Sequence, residues 1–145
     1  MRSGDEYAQD LARQEAVAKR LEALWNCQMV KTAELSKIDY VATREGQMIG
    51  LVEVKGRLIP STMYQQTTLD SAKLGWMRLA ADMYGVPALV VIQWTDKAAY
   101  FEPKSTPVDQ VSDQATRVGD FPKAQAYIDR DRCTHLWDGD VVGAS

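Results

Sequence analysis

Residues 38–55 read Ile-Asp-Tyr-Val-Ala-Thr-Arg-Glu-Gly-Gln-Met-Ile-Gly-Leu-Val-Glu-Val-Lys, and this stretch decides the fold. It reads as two adjacent strands, 37–43 and 48–55, joined by a turn at Arg44-Glu45-Gly46-Gln47, where Gly46 takes a positive φ without steric conflict. Strand side chains alternate faces, so Leu51, Glu53 and Lys55 share one face and Val52 and Val54 the other. Glu53 and Lys55 are then about 6.6 Å apart, at about 3.3 Å per residue. A loop of odd length centred on Gly46 pairs Asp39 with Glu53, with Cβ atoms about 4.5–5.5 Å apart. A loop of even length shifts the register by one and separates the two acids, unless a bulge compensates.

Two carboxylates held this close repel, and one tends to stay protonated. A divalent cation removes the conflict. Magnesium takes oxygen ligands and keeps several waters, and Lys55 beside it can orient a water or meet developing negative charge. The plainer alternative is an exposed sheet face carrying a Glu/Lys pair and an unrelated Asp.

Asp39, thirteen intervening residues and then Glu53-Val54-Lys55 after an apolar run resemble the PD-(D/E)XK nuclease superfamily. The resemblance spans about residues 6–95. One departure is Ile38 before the acid, where the family usually has proline or a small residue. The resemblance implies a restriction-endonuclease-like α/β core, a mixed β-sheet flanked by helices in the order αβββαβ, with C-terminal additions. It implies metal-dependent hydrolysis of DNA phosphodiesters, with branched or structured DNA among the candidate substrates. Mg²⁺ is the implied cofactor, with Mn²⁺ as substitute. Asp39, Glu53 and the Val54 carbonyl would hold the ion. Glu15, on the preceding helix, would bind it through water or bind a second ion. Lys55 would serve the chemistry, and Lys73, Gln66 and Arg57 would contact substrate. A non-catalytic nucleic-acid-binding or assembly module on the same fold is the alternative, and an unrelated partner-binding α/β protein is another.

The remaining chain is consistent with one domain, a core over 1–103 and an extension over 104–145. At 145 residues it can bury a proper core. An apolar content of 46% and a charged content of 26% are ordinary for a soluble globular protein. No apolar run approaches membrane-spanning length, and the first residues lack a signal-peptide core. Cys27 and Cys133 are too few and too far apart for a disulfide framework or a zinc signature, so a reducing, cytoplasmic setting is expected. The net charge of −3 is unusual for a DNA-binding protein, but Lys55, Arg57, Lys73 and Arg78 lie near the acids in sequence. One site per chain and two strands to cut suggest a homodimer.

A helix is expected over 5–25, capped by Ser3 or Asp5 and ended by Asn26, with a short strand over 27–31. After a loop over 56–65, a second helix is expected over 66–84, stopped by Gly85 and Pro87. Ala88–Trp94 reads as a buried central strand, and 98–102 as an edge strand. Residues 104–120 read as a long loop, 121–130 as a short helix and 133–137 as a last strand. His135 reads as structural, and Asp138-Gly139-Asp140 as a plain turn. Tyr64, in the loop after the triplet, can either stack on a base or pack.

Overall fold

The computed structural model describes residues 4–32, 38–114 and 123–141. Its elements are α1 (Gly4–Trp25), β1 (Gln28–Lys31), β2 (Tyr40–Arg44), β3 (Gln47–Gly56), β4 (Gln66–Asp70), α2 (Ser71–Tyr84), β5 (Ala88–Gln93), β6 (Lys97–Phe101), β7 (Gln110–Gln114), β8 (Lys123–Asp129) and β9 (Thr134–Asp138). A 3-10 turn over Arg130–Arg132 precedes β9.

The β2–β3 hairpin turns on two residues in the left-handed region, Glu45 at φ 51° and Gly46 at φ 77°. A two-residue turn of this kind matches the twist of the flanking strands. The loop is therefore even, not odd. Arg44 pairs with Gln47 and Thr43 with Met48, a register that by itself would put Asp39 and Glu53 on opposite faces. A bulge between Ala42 and Thr43 absorbs Ile49, so Ala42 pairs with Gly50, Val41 with Leu51 and Tyr40 with Val52. Extended by one residue, this register sets Asp39 opposite Glu53.

Six strands form a mixed sheet in the order β1-β2-β3-β5-β6-β9, and three form a smaller sheet in the order β4-β8-β7. Only β3 and β5 pair in parallel; the other ladders are antiparallel. The pleat divides the core in two. Val17, Ala18 and Leu21 of α1 pack on Tyr40, Ala42, Val52, Val54, Val91 and Trp137. On the opposite face, Leu74, Met77 and Ala81 of α2, with Leu69, Ala126 and Ile128 of the small sheet, pack on Leu51, Val90, Ile92 and Phe101. The two faces of the same six strands are thus sealed independently.

Several expectations need correction. The second helix begins at Ser71, because Gln66–Asp70 pairs with β8 and buries Thr67 and Leu69 by strand alternation. Asp70 caps the helix, its side chain accepting the Ala72 N–H at 2.9 Å. Its other end is as expected: Gly85 is left-handed at φ 66° and its N–H bonds the Ala81 carbonyl. Within 121–130, residues 123–129 form β8, not a helix. Its Ala126 and Ile128 are buried two apart, the period of a strand. Residues 110–114 are β7 within the span expected to be loop. β6 is not an edge strand, because β9 pairs against it. Ser3, residues 115–120 and Phe121 lie outside the described residues.

Candidate metal and phosphate site

Asp39 is fixed from both sides at the end of the hairpin. Its carbonyl accepts the Thr32 N–H and hydroxyl, each at 3.0 Å, and the same hydroxyl also reaches the Ile38 carbonyl. Its carboxylate Oδ2 accepts the Val54 N–H at 2.9 Å. The odd residues of β3 turn their backbone groups toward β5, as the Leu51 N–H to Pro87 and Arg57 N–H to Gln93 bonds show. Val54 therefore turns its N–H and carbonyl toward the side where β2 has ended, and the Asp39 carboxylate stands on that side.

Glu53 is only 2% exposed. Its Oε2 accepts from Lys73 Nζ at 2.7 Å and lies 3.4 Å from Lys55 Nζ. Its Oε1 is buried with no hydrogen-bond partner. Burial, and next the charge of Asp39, push the Glu53 carboxyl above its ordinary range; the two lysines pull it back. An unpartnered buried carboxylate oxygen facing a second carboxylate suits a cation. Among the described residues no three Asp, Glu, His or Cys side chains converge. A donor set of two carboxylates and a backbone carbonyl fits a magnesium-like ion that keeps its waters, and is too sparse for an all-protein calcium or zinc cage.

The structure brings Asp39, Glu53, Lys55 and Lys73 together, with Val54 between the acids. Glu15 is exposed on α1, across the sheet from α2, and is absent from the charges that act on Glu53. Its charge is felt at Tyr40, whose buried hydroxyl is unpartnered. Burial first, then Asp39, Glu15 and Glu22, push that phenol up to about 12.

Arg57 continues the row beyond Lys55. Its guanidinium donates to the Thr68 carbonyl at 3.0 Å, and burial lowers its pKa. Gln66 sits on β4, not on the helix, with Nε2 3.5 Å from Asp109. His135 is on the edge strand β9, three strands from β3, and pairs at 3.4 Å with Asp138.

Two buried groups gave no signal in the sequence. Arg13 of α1 binds Asp140 at 2.9 Å and leaves Nε and Nη2 buried without partners beside the end of β3. Gln93 bonds the carbonyls of Trp94, Lys97 and Gly139 and accepts from the Trp137 indole. The bonds of Arg13 to Asp140 and of Gln93 to Gly139 and Trp137 each span more than forty residues, so no local pattern reports them.

No helix among the described residues is long and apolar enough to cross a membrane. The fold resembles that of Hjc from Archaeoglobus fulgidus, a Holliday junction resolvase from an archaeal hyperthermophile. The TM-score is 0.55 at 17% identity, covering 86% of this chain and 92% of that one. No curated protein gives a significant match. The sequence model of the phage PDDEXK endonucleases matches residues 1–124, which is most of the chain and includes Asp39, Glu53 and Lys55. The chain belongs to the phage PDDEXK endonuclease family.

Proposed function

We propose that this endonuclease hydrolyses DNA phosphodiesters with Mg²⁺, or Mn²⁺ in its place, and acts on branched or otherwise structured DNA. The observation that carries the reading is the Glu53 carboxylate, buried with Oε1 unpartnered, opposite Asp39 and against two lysines.

Asp39, Glu53 and the Val54 carbonyl would hold the ion. Once bound, it supplies Lewis acidity toward the phosphoryl oxygen and a stronger nucleophile from water. With Glu53 occupied in this way, the ammonium groups of Lys55 and Lys73 become available to phosphate. Lys55 meets the charge that develops as the nucleophile adds. Lys73, in the first turn of α2, holds the phosphate where the free amides and dipole of the helix also favour an anion. Glu15 is assigned contact with the same ion through water, or a second ion.

The Hjc structure is of a Holliday junction resolvase, and its shared fold supports a four-way junction as the first substrate to test. The homodimer belongs to the same reading. Trp76, Leu79 and Met83 expose an apolar stripe on the outer face of α2 at helical spacing. The reducing, cytoplasmic setting also belongs to it, and Cys27 and Cys133 are both free thiols.

The test is a panel of four-way junction, duplex end, nicked duplex and single strand, each with Mg²⁺ and with EDTA, for wild type and Asp39→Asn. Metal-dependent cleavage that is lost in the variant is expected. Absence of cleavage with both Mg²⁺ and Mn²⁺, or an Asp39→Asn protein that cuts as well as wild type, would overturn the proposal.

A further inference from the structure

The row Glu53, Lys55, Arg57 does not end at the cations. Beyond Arg57 it opens into a cavity of about 420 Å³, within the range of small-ligand sites. Its walls include Arg57, Ile59, Tyr64, Thr68, Trp94 and Tyr127. Arg57 is about 6.6 Å further along the strand than Lys55, close to one nucleotide step. The cavity therefore joins a cationic edge, continuous with the proposed phosphate site, to aromatic walls.

The loop that forms one wall is built in an unusual way. Its backbone is pinned along most of its length. Arg57 N–H reaches Gln93, and Ile59 accepts from Thr95 at 3.2 Å. Ser61 donates its N–H and hydroxyl to Asp96 at 2.8 and 2.7 Å. Arg130 donates its guanidinium to the carbonyls of Ser61 and Tyr64, at 3.0 and 3.1 Å, and its N–H to Gln65. Within this frame Ile59 packs against the core and Ser61 is buried, whereas Tyr64, a wall of the cavity, is left 63% exposed. A pinned loop that holds an exposed aromatic ring at the mouth of a cavity suits a binding wall, since ordering costs are met before the ligand arrives.

An occupant suited to these walls supplies a flat ring for the exposed Tyr64 and half-buried Tyr127 and a phosphate for the adjoining cations. A nucleotide does both. A base stacked in a duplex cannot enter a concave site, so the nucleotide has to be unpaired or extruded. We propose that this cavity receives the unpaired base of the nucleotide next to the cleaved phosphodiester, with Tyr64 stacked on its ring face and Arg57 bridging toward the phosphate. The assignment rests on the nuclease reading for its phosphate and adds the local feature of DNA that the enzyme selects. Substrates with unpaired nucleotides at the cut are favoured over continuous duplex, because the cost of unstacking is smallest there.

The test uses the full chain and a DNA junction with a short unpaired flap, in which one unpaired nucleotide at a time carries 2-aminopurine or is abasic. Without added metal, wild type should change the 2-aminopurine fluorescence at one position. Tyr64→Ala should lose that change and bind the DNA about 10-fold more weakly, as for a lost base–aromatic stack, whereas Tyr64→Phe should retain both. Making the same nucleotide abasic should weaken wild-type binding and Mg²⁺-dependent cleavage by a similar factor, with no further loss in Tyr64→Ala. Equal handling of intact and abasic DNA, or a Tyr64→Ala protein indistinguishable from wild type, would overturn the assignment. A Tyr64-dependent fluorescence change without any cleavage would keep the cavity and remove the nuclease reading. Cleavage insensitive to Tyr64 and to the abasic site would do the reverse, and no DNA binding at all would remove both.

Discussion

Val52 and Glu53 are neighbours on β3, equally hidden from solvent and opposite in what burial does to them. Val52 turns to the α1 face, where apolar side chains surround it. Glu53 turns to the α2 face, where burial raises its pKa, a second acid adds to the strain and one oxygen goes unpartnered. One strand thus carries a face that stabilises the fold and a face that works against its own solvation. The sheet tolerates the second because the first is sealed by a different helix. Stability and chemistry are separated by the pleat, one residue apart, and single substitutions should affect one without the other.

The sharpest way to break that separation is Glu53→Gln. Cleavage should fall by more than about 10³, beyond the about 10²–10³ of a single lost electrostatic donor. Thermal unfolding in EDTA should be no lower than wild type, because the partners left behind, Lys55 and Lys73, are partly exposed and can reach water. In wild type, Mg²⁺ at a hundredfold excess over its Kd should add about 2.7 kcal/mol of stability, a gain absent from the variant. A variant that unfolds several degrees earlier in EDTA would show that Glu53 belongs to the structural face after all.

Lys55→Ala comes next, with cleavage reduced about 10²–10³ and calorimetric Mn²⁺ affinity nearly unchanged. Cleavage at the wild-type rate would leave Lys55 as a surface ion pair. On the other face, Val52→Ala should cost about 2 kcal/mol in urea unfolding, the lost transfer of two methyl groups plus a cavity. Its cleavage rate at low temperature should stay within about 2-fold of wild type. A large loss of rate would mean that the two faces are mechanically coupled. The smallest effect concerns the turn that sets the register of both. Glu45 occupies a left-handed position that asparagine prefers, so Glu45→Asn should raise stability by a few tenths of a kcal/mol, read as a shifted urea midpoint.

The acids, their order and the need for either an odd loop or a bulge were legible from Asp39, Gly46 and Glu53, because alternation and turn length are local rules. Which of the two devices operates was not, since a bulge leaves only Ile49 as an ordinary apolar residue. The strand Gln66–Asp70 was hidden because Leu69 and Leu74 extend the helical apolar pattern backward. The signal against it was present in the alternation of Thr67 and Leu69 and in the capping acid Asp70. Strand 123–129 looks helical in the sequence because Ala124 and Ile128, four apart, fit either period. Lys73 was legible as a cation near the acids, but its contact with Glu53 was not, since it spans twenty residues and two elements. The cavity at Tyr64 was beyond reach in full, as it depends on Arg130 and Tyr127 folding back from the other end of the chain.

Strand β9 has a consequence for solubility. It covers β6, whose Ala98, Ala99 and Phe101 are buried, and Gln93 ties its indole and the following turn to the central strand. Remove residues 134–141 and β6 becomes a bare hydrophobic margin, able to template strand addition from another molecule. These residues lie beyond the stretch, 1–124, that the family model matches. The strand that covers this margin thus lies outside the residues matched by the family model, and truncating it tests fold integrity rather than the acids of the site.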